Sequence, residues 1–449
     1  MLKKYLILTI LFTLFTNSVY AAGQRGIFLI KDLEIEHFLT ELLQPIFVAA
    51  GVNPKSIHIY IIADPSPNAF VAGGQNIFVH TGLITFANSY EEIAGVLAHE
   101  LGHIVAGHVS RGEAAYAKSN MLVLLGLAAM LLAAPLLAAS NNDSGSLVDV
   151  VGFLAYGSQQ ASFTSAMQYS RGEESQADQL GAEFIASTNY SFNGFLNFMK
   201  KLYDKEDKTR YEQDYYLWYS SHPLTLNRIA FIEEYIKQHP RNVTLDSKLQ
   251  TEFLFSKAKI LAYTSTYKQL NDLYQENTPD GLYAKAIYNY NHHDFTKATN
   301  TLTSLTKNYQ SIYIQELVAD IAFDSQQYTQ AIQLYKNIAK VEPNDIIFLK
   351  LARSYLLQND IQDAFQTINI SLSYNNQNPL AWHIKSLIFG KMQKYPEAKL
   401  ATAEKHLILH QFDQAKYFAV SALADIKNNP EATMQAKDIL SYIKNNQKK

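Results

Sequence analysis

The sequence predicts two consecutive fold classes: an α+β domain that is mainly helical with a small sheet, and after it an all-α solenoid. Three observations support this. Helical and strand-like apolar patterns are mixed before residue 244. A His-Glu-Leu-Gly-His pentapeptide lies inside a predicted helix, and alanine pairs recur at a fixed displacement after residue 244. We therefore predict a first domain over residues 22–243 and a second over residues 244–449.

Residues 1–21 have the pattern of a secretory signal peptide. Two lysines precede an apolar run from Tyr5 to Phe15, and a small-residue cleavage site ends at Ala21. The apolar run is short for a transmembrane span, so an uncleaved anchor is the lesser alternative. We expect export to the periplasm and removal of this segment.

The composition excludes several classes of protein. The chain has no cysteine, which excludes a disulfide framework and a lipid-modified cysteine. The formal net charge is −3 and is not patterned, so nothing predicts a nucleic-acid partner. An exported chain without disulfides needs a large core, and this length is ample for two domains.

The segments before the pentapeptide predict a helix and a small sheet. Residues 33–50 have the spacing of an amphipathic helix, residues 57–63 that of a strand, and residues 68–84 that of a hairpin turning at Gly73-Gly74. An exposed edge strand here would bind an unfolded polypeptide as an added strand, whereas an ordinary scaffold strand is the equal alternative. The predicted edge consists of Gln75, Asn76, Ile77, Phe78, Val79 and His80.

The pentapeptide predicts a metal site. It lies in a predicted helix over residues 91–108, where His99 and His103 project about 40° apart, so both imidazoles can reach one Zn²⁺. Glu100 then flanks the metal as a general base. His108 lies nine residues beyond His99, on the opposite face of a continued helix, and is expected at the surface.

Residues 119–168 predict an apolar hairpin. Residues 121–139 contain no polar side chain, and Pro135 lies near the end of this segment. A second apolar segment over residues 147–167 contains Asp149, Gln159 and Gln160. Two membrane spans satisfy this pattern, and so does a hairpin that covers the active site or dips into a membrane leaflet. We favour the hairpin, because the second segment is a poor span.

A later helix offers the third ligand. Residues 170–185 have helical spacing, with Glu174 and Asp178 at i and i+4 on one face. One carboxylate can bind the metal while the other accepts the ring N–H of a ligand histidine. A solvated acidic face is the alternative for this helix in isolation.

His222 precedes a proline, and Arg228 lies in the first turns of the next predicted helix. A histidine beside a proline is often structural. The functional alternative places His222 near the metal, either as a fourth ligand or as a donor to the oxyanion. Arg228 would stabilise developing negative charge or anchor the loop.

Alanine pairs predict the solenoid. Ala286 and Ala298 lie twelve residues apart, and the same spacing recurs 33 and 66 positions later at Ala319 with Ala331 and Ala352 with Ala364. This pattern matches the tetratricopeptide repeat, in which small residues let paired helices approach. A further repeat is expected over residues 382–398, and the total number stays open. Such repeats bury their faces by stacking and usually bind polypeptide.

Together these motifs resemble the gluzincin-type zinc metallopeptidases that include the HtpX membrane protease and the CAAX prenyl endopeptidases, and especially periplasmic members fused to tetratricopeptide repeats. The resemblance covers the whole mature chain. It rests on ordered elements around the pentapeptide and the Glu174–Asp178 helix: Asn68-Ala69-Phe70, Gly73-Gly74, Ile77-Phe78-Val79, Ser170-Arg171 and Ser221-His222-Pro223 with Arg228.

The resemblance implies a zincin-like fold and a set of roles. One Zn²⁺ per chain would be held by His99, His103 and Glu174. Asp178 would accept the ring N–H of a ligand histidine, and His222 would belong to the active site. It also implies a mobile helical lid over residues 119–168 and favours the edge strand. Gln176 departs from the family pattern, where another glutamate is common, and little consequence is expected because that position is not a ligand.

We therefore expect a periplasmic zinc metalloendopeptidase that degrades misfolded or stalled outer-membrane proteins. Its partners would be unfolded polypeptides and, through the repeats, the outer-membrane protein assembly machinery. Contact of residues 121–139 with a membrane surface is an open alternative. The rival hypothesis is a repeat-based chaperone or adaptor whose protease activity is latent or residual.

Overall fold

The computed structural model describes residues 29–108, 149–150, 169–208, 222, 224–309, 311–426 and 429–446. The predicted signal peptide and the apolar segment 121–139 lie outside these ranges, as does the second apolar segment except for residues 149–150. Among the helices of the described ranges, none combines the length and the apolarity that a bilayer crossing needs.

The N-terminal part contains one five-stranded sheet with the order β3-β4-β2-β1-β5. Strand β4 pairs with β2 in parallel and with β3 antiparallel, and β1 pairs antiparallel with β2 and β5. The strands are β1 Leu29–Lys31, β2 His58–Ile62, β3 Ala69–Ala72, β4 Asn76–His80 and β5 Asp149–Val150.

The sheet order makes the predicted edge strand wrong. Strand β4 is hydrogen-bonded on both sides, so Asn76, Ile77, Phe78, Val79 and His80 have no free edge. Gln75 lies in the turn before the strand, where its carbonyl accepts from the backbone N–H of His58 at 3.1 Å. Among the described strands, β3 and β5 are the outermost. The predicted hairpin also ends earlier than expected, because residues 81–86 form a helix.

Six α-helices accompany the sheet among the described residues. They are α1 Leu33–Ala49, α2 Thr81–Phe86, α3 Tyr90–Val105, α4 Arg171–Ala186, α5 Asn193–Lys208 and α6 Leu226–Gln238. Helix α3 is buried over most of its length and lies in one apolar core with α1, α4 and α5. The predicted helices over residues 33–50 and 91–108 correspond to α1 and α3.

Glycines let α3 and α4 pack closely. A Cβ atom at Gly102 would lie 2.8 Å from the carbonyl oxygen of Ala177, and one at Gly181 would lie 3.1 Å from the backbone nitrogen of His99. These positions therefore accept only a hydrogen atom without a shift of the backbone. The glycine inside the pentapeptide thus determines how near the Glu174–Asp178 helix comes to the two histidines.

The C-terminal part is a solenoid of paired helices. The helices are α7 Ser247–Thr264, α8 Tyr267–Leu273, α9 Pro279–Asn291, α10 Phe295–Asn308, α11 Ile312–Asp324, α12 Tyr328–Val341, α13 Asp345–Leu357, α14 Ile361–Tyr374, α15 Pro379–Lys391, α16 Tyr395–Ile408, α17 Phe412–Asp425 and α18 Pro430–Asn446. All six alanines of the predicted pairs are fully buried between these helices, which confirms the all-α repeat fold.

The repeat also appears in the backbone. Non-glycine residues with positive φ lie in turns between helices, at His293, Gln326, Asn359, Gln393 and His410. The first three are 33 residues apart and separate the two helices that carry each alanine pair. The turn between the two helices of each repeat therefore has the same backbone conformation at equivalent positions, and none of these positions is a glycine.

A buried ionic cluster joins the solenoid to the N-terminal part. Lys259 of α7 lies 2.7 Å from Asp32 and 3.2 Å from Glu34 at the start of α1. The Tyr283 hydroxyl donates to Glu34 at 2.8 Å. Because these groups are buried, breaking one partner would leave an uncompensated charge. The predicted boundary at residue 244 falls in the non-helical stretch 240–246, before α7, and stays a prediction.

Candidate metal centre

Helix α3 brings the two histidines of the pentapeptide to one point. The Nε2 atoms of His99 and His103 lie 3.1 Å apart, and both side chains are fully buried. Their rings are perpendicular, with centroids 4.7 Å apart. The one-turn spacing on the helix therefore makes the two nitrogen lone pairs converge, as expected for ligands of a single ion.

Helix α4 adds Glu174 to the same point. Ser170 caps this helix through a capping box with Glu173, which fixes where the helix begins and which face carries Glu174. One Glu174 oxygen lies 3.3 Å from His103 Nε2, and the other lies 3.6 Å from His99 Nε2. The carboxylate therefore faces both imidazoles.

His222 completes the cluster from a different part of the chain. Its Nδ1 atom lies 2.9 Å from Glu174 and 3.4 Å from His99 Nε2, and its Nε2 atom lies 3.3 Å from Glu100. The side chain is fully buried. Neither Glu100 oxygen accepts a hydrogen bond from the part of the chain that the structure describes.

The donor set fits a transition metal ion. His99, His103, Glu174 and His222 each offer one atom, and these four atoms all lie within 4.8 Å of one another. Imidazole nitrogens with a carboxylate oxygen are typical ligands of zinc, and three protein ligands with one further position are typical of catalytic zinc sites. Burial of four such groups without an ion would be costly.

Asp178 and Arg228 support the cluster from outside. Asp178 Oδ1 lies 2.9 Å from His99 Nδ1, the ring atom that points away from the cluster. Arg228 donates to both Asp178 oxygens, through Nε at 2.7 Å and Nη2 at 2.8 Å, and also pairs with Glu174. The arginine therefore holds both carboxylates of α4 in place.

Burial and the neighbouring charges shift the pKa values of the side chains in the cluster. Burial raises the pKa of Glu100, and the charges of His222 and His99 offset only part of this effect. Burial also acts to raise the pKa of Glu174, but the histidines around it hold that pKa well below its usual range. Burial lowers the pKa of His103 well below the ordinary value. Glu174 is thus ionised and His103 neutral, the forms that bind a metal.

His108 is not at the surface, and that expectation was wrong. Helix α3 ends at Val105, and Gly107 has φ +69°, so His108 does not continue the face of α3 and is buried. Its Nδ1 atom lies 2.8 Å from Nδ1 of His103, and its Nε2 atom lies 3.0 Å from the side-chain oxygen of Gln176. Gln176, which departs from the family pattern, therefore contacts His108, which in turn contacts His103.

Tyr169 was also absent from the predicted site. Its ring stacks on His103 with a centroid distance of 3.7 Å and lies 5.3 Å from the ring of His222. Burial, followed by the charges of Glu100 and Glu174, raises the tyrosine pKa well above its ordinary value. A tyrosine directly before the capping serine of α4 was the available sequence signal.

The predicted edge residues do not belong to this cluster. His80 lies at the end of β4, where its Nδ1 atom contacts the Ser66 hydroxyl at 2.7 Å and Asp64 at 3.4 Å. These contacts satisfy His80 within the sheet and the loop before β3.

Comparison with known proteins identifies this region. Residues 32–236, which contain the whole cluster, match peptidase family M48. The N-terminal part is thus similar to a peptidase family M48 domain. The resemblance inferred from the motifs is therefore confirmed, and with it the metalloprotease activity. The family implies a bound metal ion, consistent with the donor set.

Individual relatives match at low identity. The chain is 24% identical over 409 residues to the beta-barrel assembly-enhancing protease of Escherichia coli (strain K12), covering 89% of this chain and 81% of the relative. It is 27% identical over 202 residues to the mitochondrial metalloendopeptidase OMA1 of Schizosaccharomyces pombe (strain 972 / ATCC 24843), covering 45% of this chain and 53% of that protein. The crystal structure of yeast Tom70 aligns with a TM-score of 0.29 at 14% identity, over 62% of this chain and 66% of that one.

Proposed function

We propose that the chain is a zinc metalloendopeptidase of the bacterial periplasm that cleaves unfolded outer-membrane proteins. The observation that carries this proposal is the convergence of four buried ligand atoms within 4.8 Å beside Glu100. His99, His103 and Glu174 are the proposed zinc ligands, and one zinc ion per chain is expected.

A bound zinc ion supplies Lewis acidity, which polarises the scissile carbonyl and makes water more acidic. Glu100 is the proposed general base, taking a proton from the attacking water and later delivering it to the leaving amine. The raised pKa of Glu100, caused mainly by burial, favours a carboxylate that can carry this proton. Its position on α3, directly after His99, keeps it beside the reacting atoms.

Two further residues would act on the charge of the site. Asp178 Oδ1 lies 2.9 Å from Nδ1 of His99, and we propose that this carboxylate holds the ring proton on Nδ1 and so keeps Nε2 available for the metal. Arg228 pairs with Asp178 and with Glu174, and we propose that it anchors these two carboxylates.

His222 has two candidate roles. Its Nδ1 atom belongs to the ligand cluster, which supports a fourth metal ligand that keeps the enzyme latent. Its Nε2 atom lies 3.3 Å from Glu100, which supports a donor to the oxyanion near the general base. Both roles require an imidazole at this position, and they predict opposite effects of its removal.

The substrate and the location are proposed from the relatives and the repeats. The E. coli relative is named as a protease that enhances beta-barrel assembly, which supports an envelope role. Solenoids of this kind usually bind polypeptide, so we propose that the repeat region binds substrates or the assembly machinery. The predicted signal peptide agrees with the periplasm.

Cleavage of casein by the purified full chain tests this function. We expect cleavage that 1,10-phenanthroline abolishes and added zinc restores, with about one zinc ion bound per chain. Zinc binding without cleavage would favour the chaperone or adaptor hypothesis, whereas cleavage that survives complete removal of metal would contradict the proposal.

A further inference from the structure

The repeat region contains a polar pocket away from the metal centre. The pocket has a volume of about 570 Å³ and lies where α7, α9 and α11 end. The last residues of these three helices, Thr264, Asn291 and Asp324, all line it. Helix C-termini carry partial negative charge, so three of them favour a cation at this place.

The pocket is rich in hydrogen-bond acceptors. The side-chain oxygen of Asn291 is buried and has no hydrogen-bond partner in the part of the chain that the structure describes, and the buried Tyr263 hydroxyl meets the Asn291 side chain. Both residues line the pocket. A buried polar group without a partner is costly, and a ligand that donates hydrogen bonds would remove this cost.

Asp324 adds a formal negative charge. It accepts from the Tyr290 hydroxyl through Oδ2 at 2.6 Å. The charges of Arg353 and Lys350 act on Asp324, but both residues also have other partners. Lys350 lies 2.7 Å from Glu316 and 3.0 Å from Asp320, and the Arg353 guanidinium lies over the ring of Phe323. The pocket therefore combines a carboxylate with acceptors that a further cation could use.

Aromatic rings form the walls of the pocket. Tyr263, Tyr288 and Tyr290 line it, and Tyr288 stacks on His292 at 3.9 Å. A guanidinium stacks on aromatic rings and offers five N–H donors, whereas an aliphatic or acidic group would leave the acceptors unpaired.

We propose that this pocket binds an arginine side chain of an extended polypeptide. The proposal deepens the polypeptide-binding role proposed for the repeats and rests on it, but it does not depend on hydrolysis. The pocket would give the repeat region a preference for basic segments, while the metal centre performs the cleavage.

Two peptides that differ in one side chain test the proposal. The probes are fluorescein-labelled Gly-Ser-Ala-Arg-Ala-Ser-Gly and its twin with citrulline, which has the shape of arginine without its charge. Binding is measured by fluorescence anisotropy with the full-length Glu100→Gln chain, so that the peptides are not cleaved. We expect the arginine peptide to bind at least about tenfold more tightly.

Variants then locate the binding. Asp324→Asn and Tyr263→Phe should each weaken the arginine peptide by about fivefold or more and reduce its advantage over citrulline. Tyr263→Phe keeps the ring and removes only the hydroxyl, and its melting temperature is measured to confirm that the fold is kept. The matched controls are Asp425→Asn, at the end of α17 and paired with Lys399, and Tyr417→Phe, which is exposed.

Equal binding of the two peptides would overturn the proposal, as would no detectable binding or equal losses in the control variants. Casein cleavage by the wild type is measured in parallel. Cleavage without a preference for arginine would contradict only the pocket proposal, and a preference for arginine without cleavage would contradict only the proposed protease function.

Discussion

The Nδ1 atoms of His103 and His108 lie 2.8 Å apart, and His108 continues to the side-chain oxygen of Gln176. If His103 binds the metal through Nε2, its Nδ1 carries the proton and donates to His108, whose Nε2–H donates to Gln176. His99 is supported differently, by the carboxylate of Asp178. The two proposed ligand histidines are therefore held by different partners, a charged carboxylate for His99 and a neutral imidazole for His103.

His108→Phe tests this support. The variant keeps an aromatic ring but removes the acceptor, so we expect zinc affinity to fall by about 10- to 100-fold, as for other outer-shell partners. Competition with a chelating dye measures the affinity. The matched control is His406→Phe, because His406 also contacts a glutamine but lies in the repeat region. Unchanged affinity in His108→Phe would remove His108 from the support of the metal.

Glu174→Ala should reduce zinc binding sharply, because it removes the proposed carboxylate ligand. The helical signal of the repeats should persist in circular dichroism, since Glu174 lies outside them. Glu173→Ala is the control: this residue is half-buried and caps the same helix. Full zinc occupancy in Glu174→Ala, measured by metal analysis, would show that Glu174 is not the third ligand.

His222→Ala separates the two roles of His222. If His222 is a fourth ligand that keeps the enzyme latent, the variant should cleave casein or itself faster while zinc stays bound. If His222 donates to the oxyanion, hydrolysis should slow by about 10²-fold. Initial rates at matched zinc content decide between them. Equal rates in the two proteins would place His222 outside the reaction.

Arg228→Gln should destabilise the folded chain by about 3–5 kcal/mol, because it leaves the buried carboxylates of Asp178 and Glu174 without their cation. Urea unfolding of the metal-free protein measures this loss. Arg241→Gln is the control, since Arg241 donates to backbone carbonyls after α4 and its loss should cost less. A similar loss in both variants would contradict the anchoring role.

Local spacing predicted the parts of the site that lie on single helices. His99 and His103 are one turn apart, and so are Glu174 and Asp178, so their shared faces follow from helix geometry alone. The buried alanines of the repeats follow from a period in the same way. The M48 match confirms the family inferred from these motifs.

Long-range pairing and helix ends could not be predicted in this way. Strand β4 was predicted as an edge strand because only its hairpin partner β3 is adjacent in the sequence. Its parallel partner β2 lies before the hairpin, so this pairing could not be predicted from local spacing. His108 was predicted at the surface because the helix was extended past Val105, whereas the helix ends there and Gly107 has a positive φ. In both cases the local pattern gave the type of element but not its neighbours.

The most direct test of the account is casein cleavage by Glu100→Gln, measured beside its zinc content. The variant keeps the proposed ligands and loses the proposed base. We therefore expect about one zinc ion per chain, as in the wild type, with proteolysis reduced by several orders of magnitude. Substantial cleavage by the purified, zinc-loaded variant would contradict the proposed mechanism.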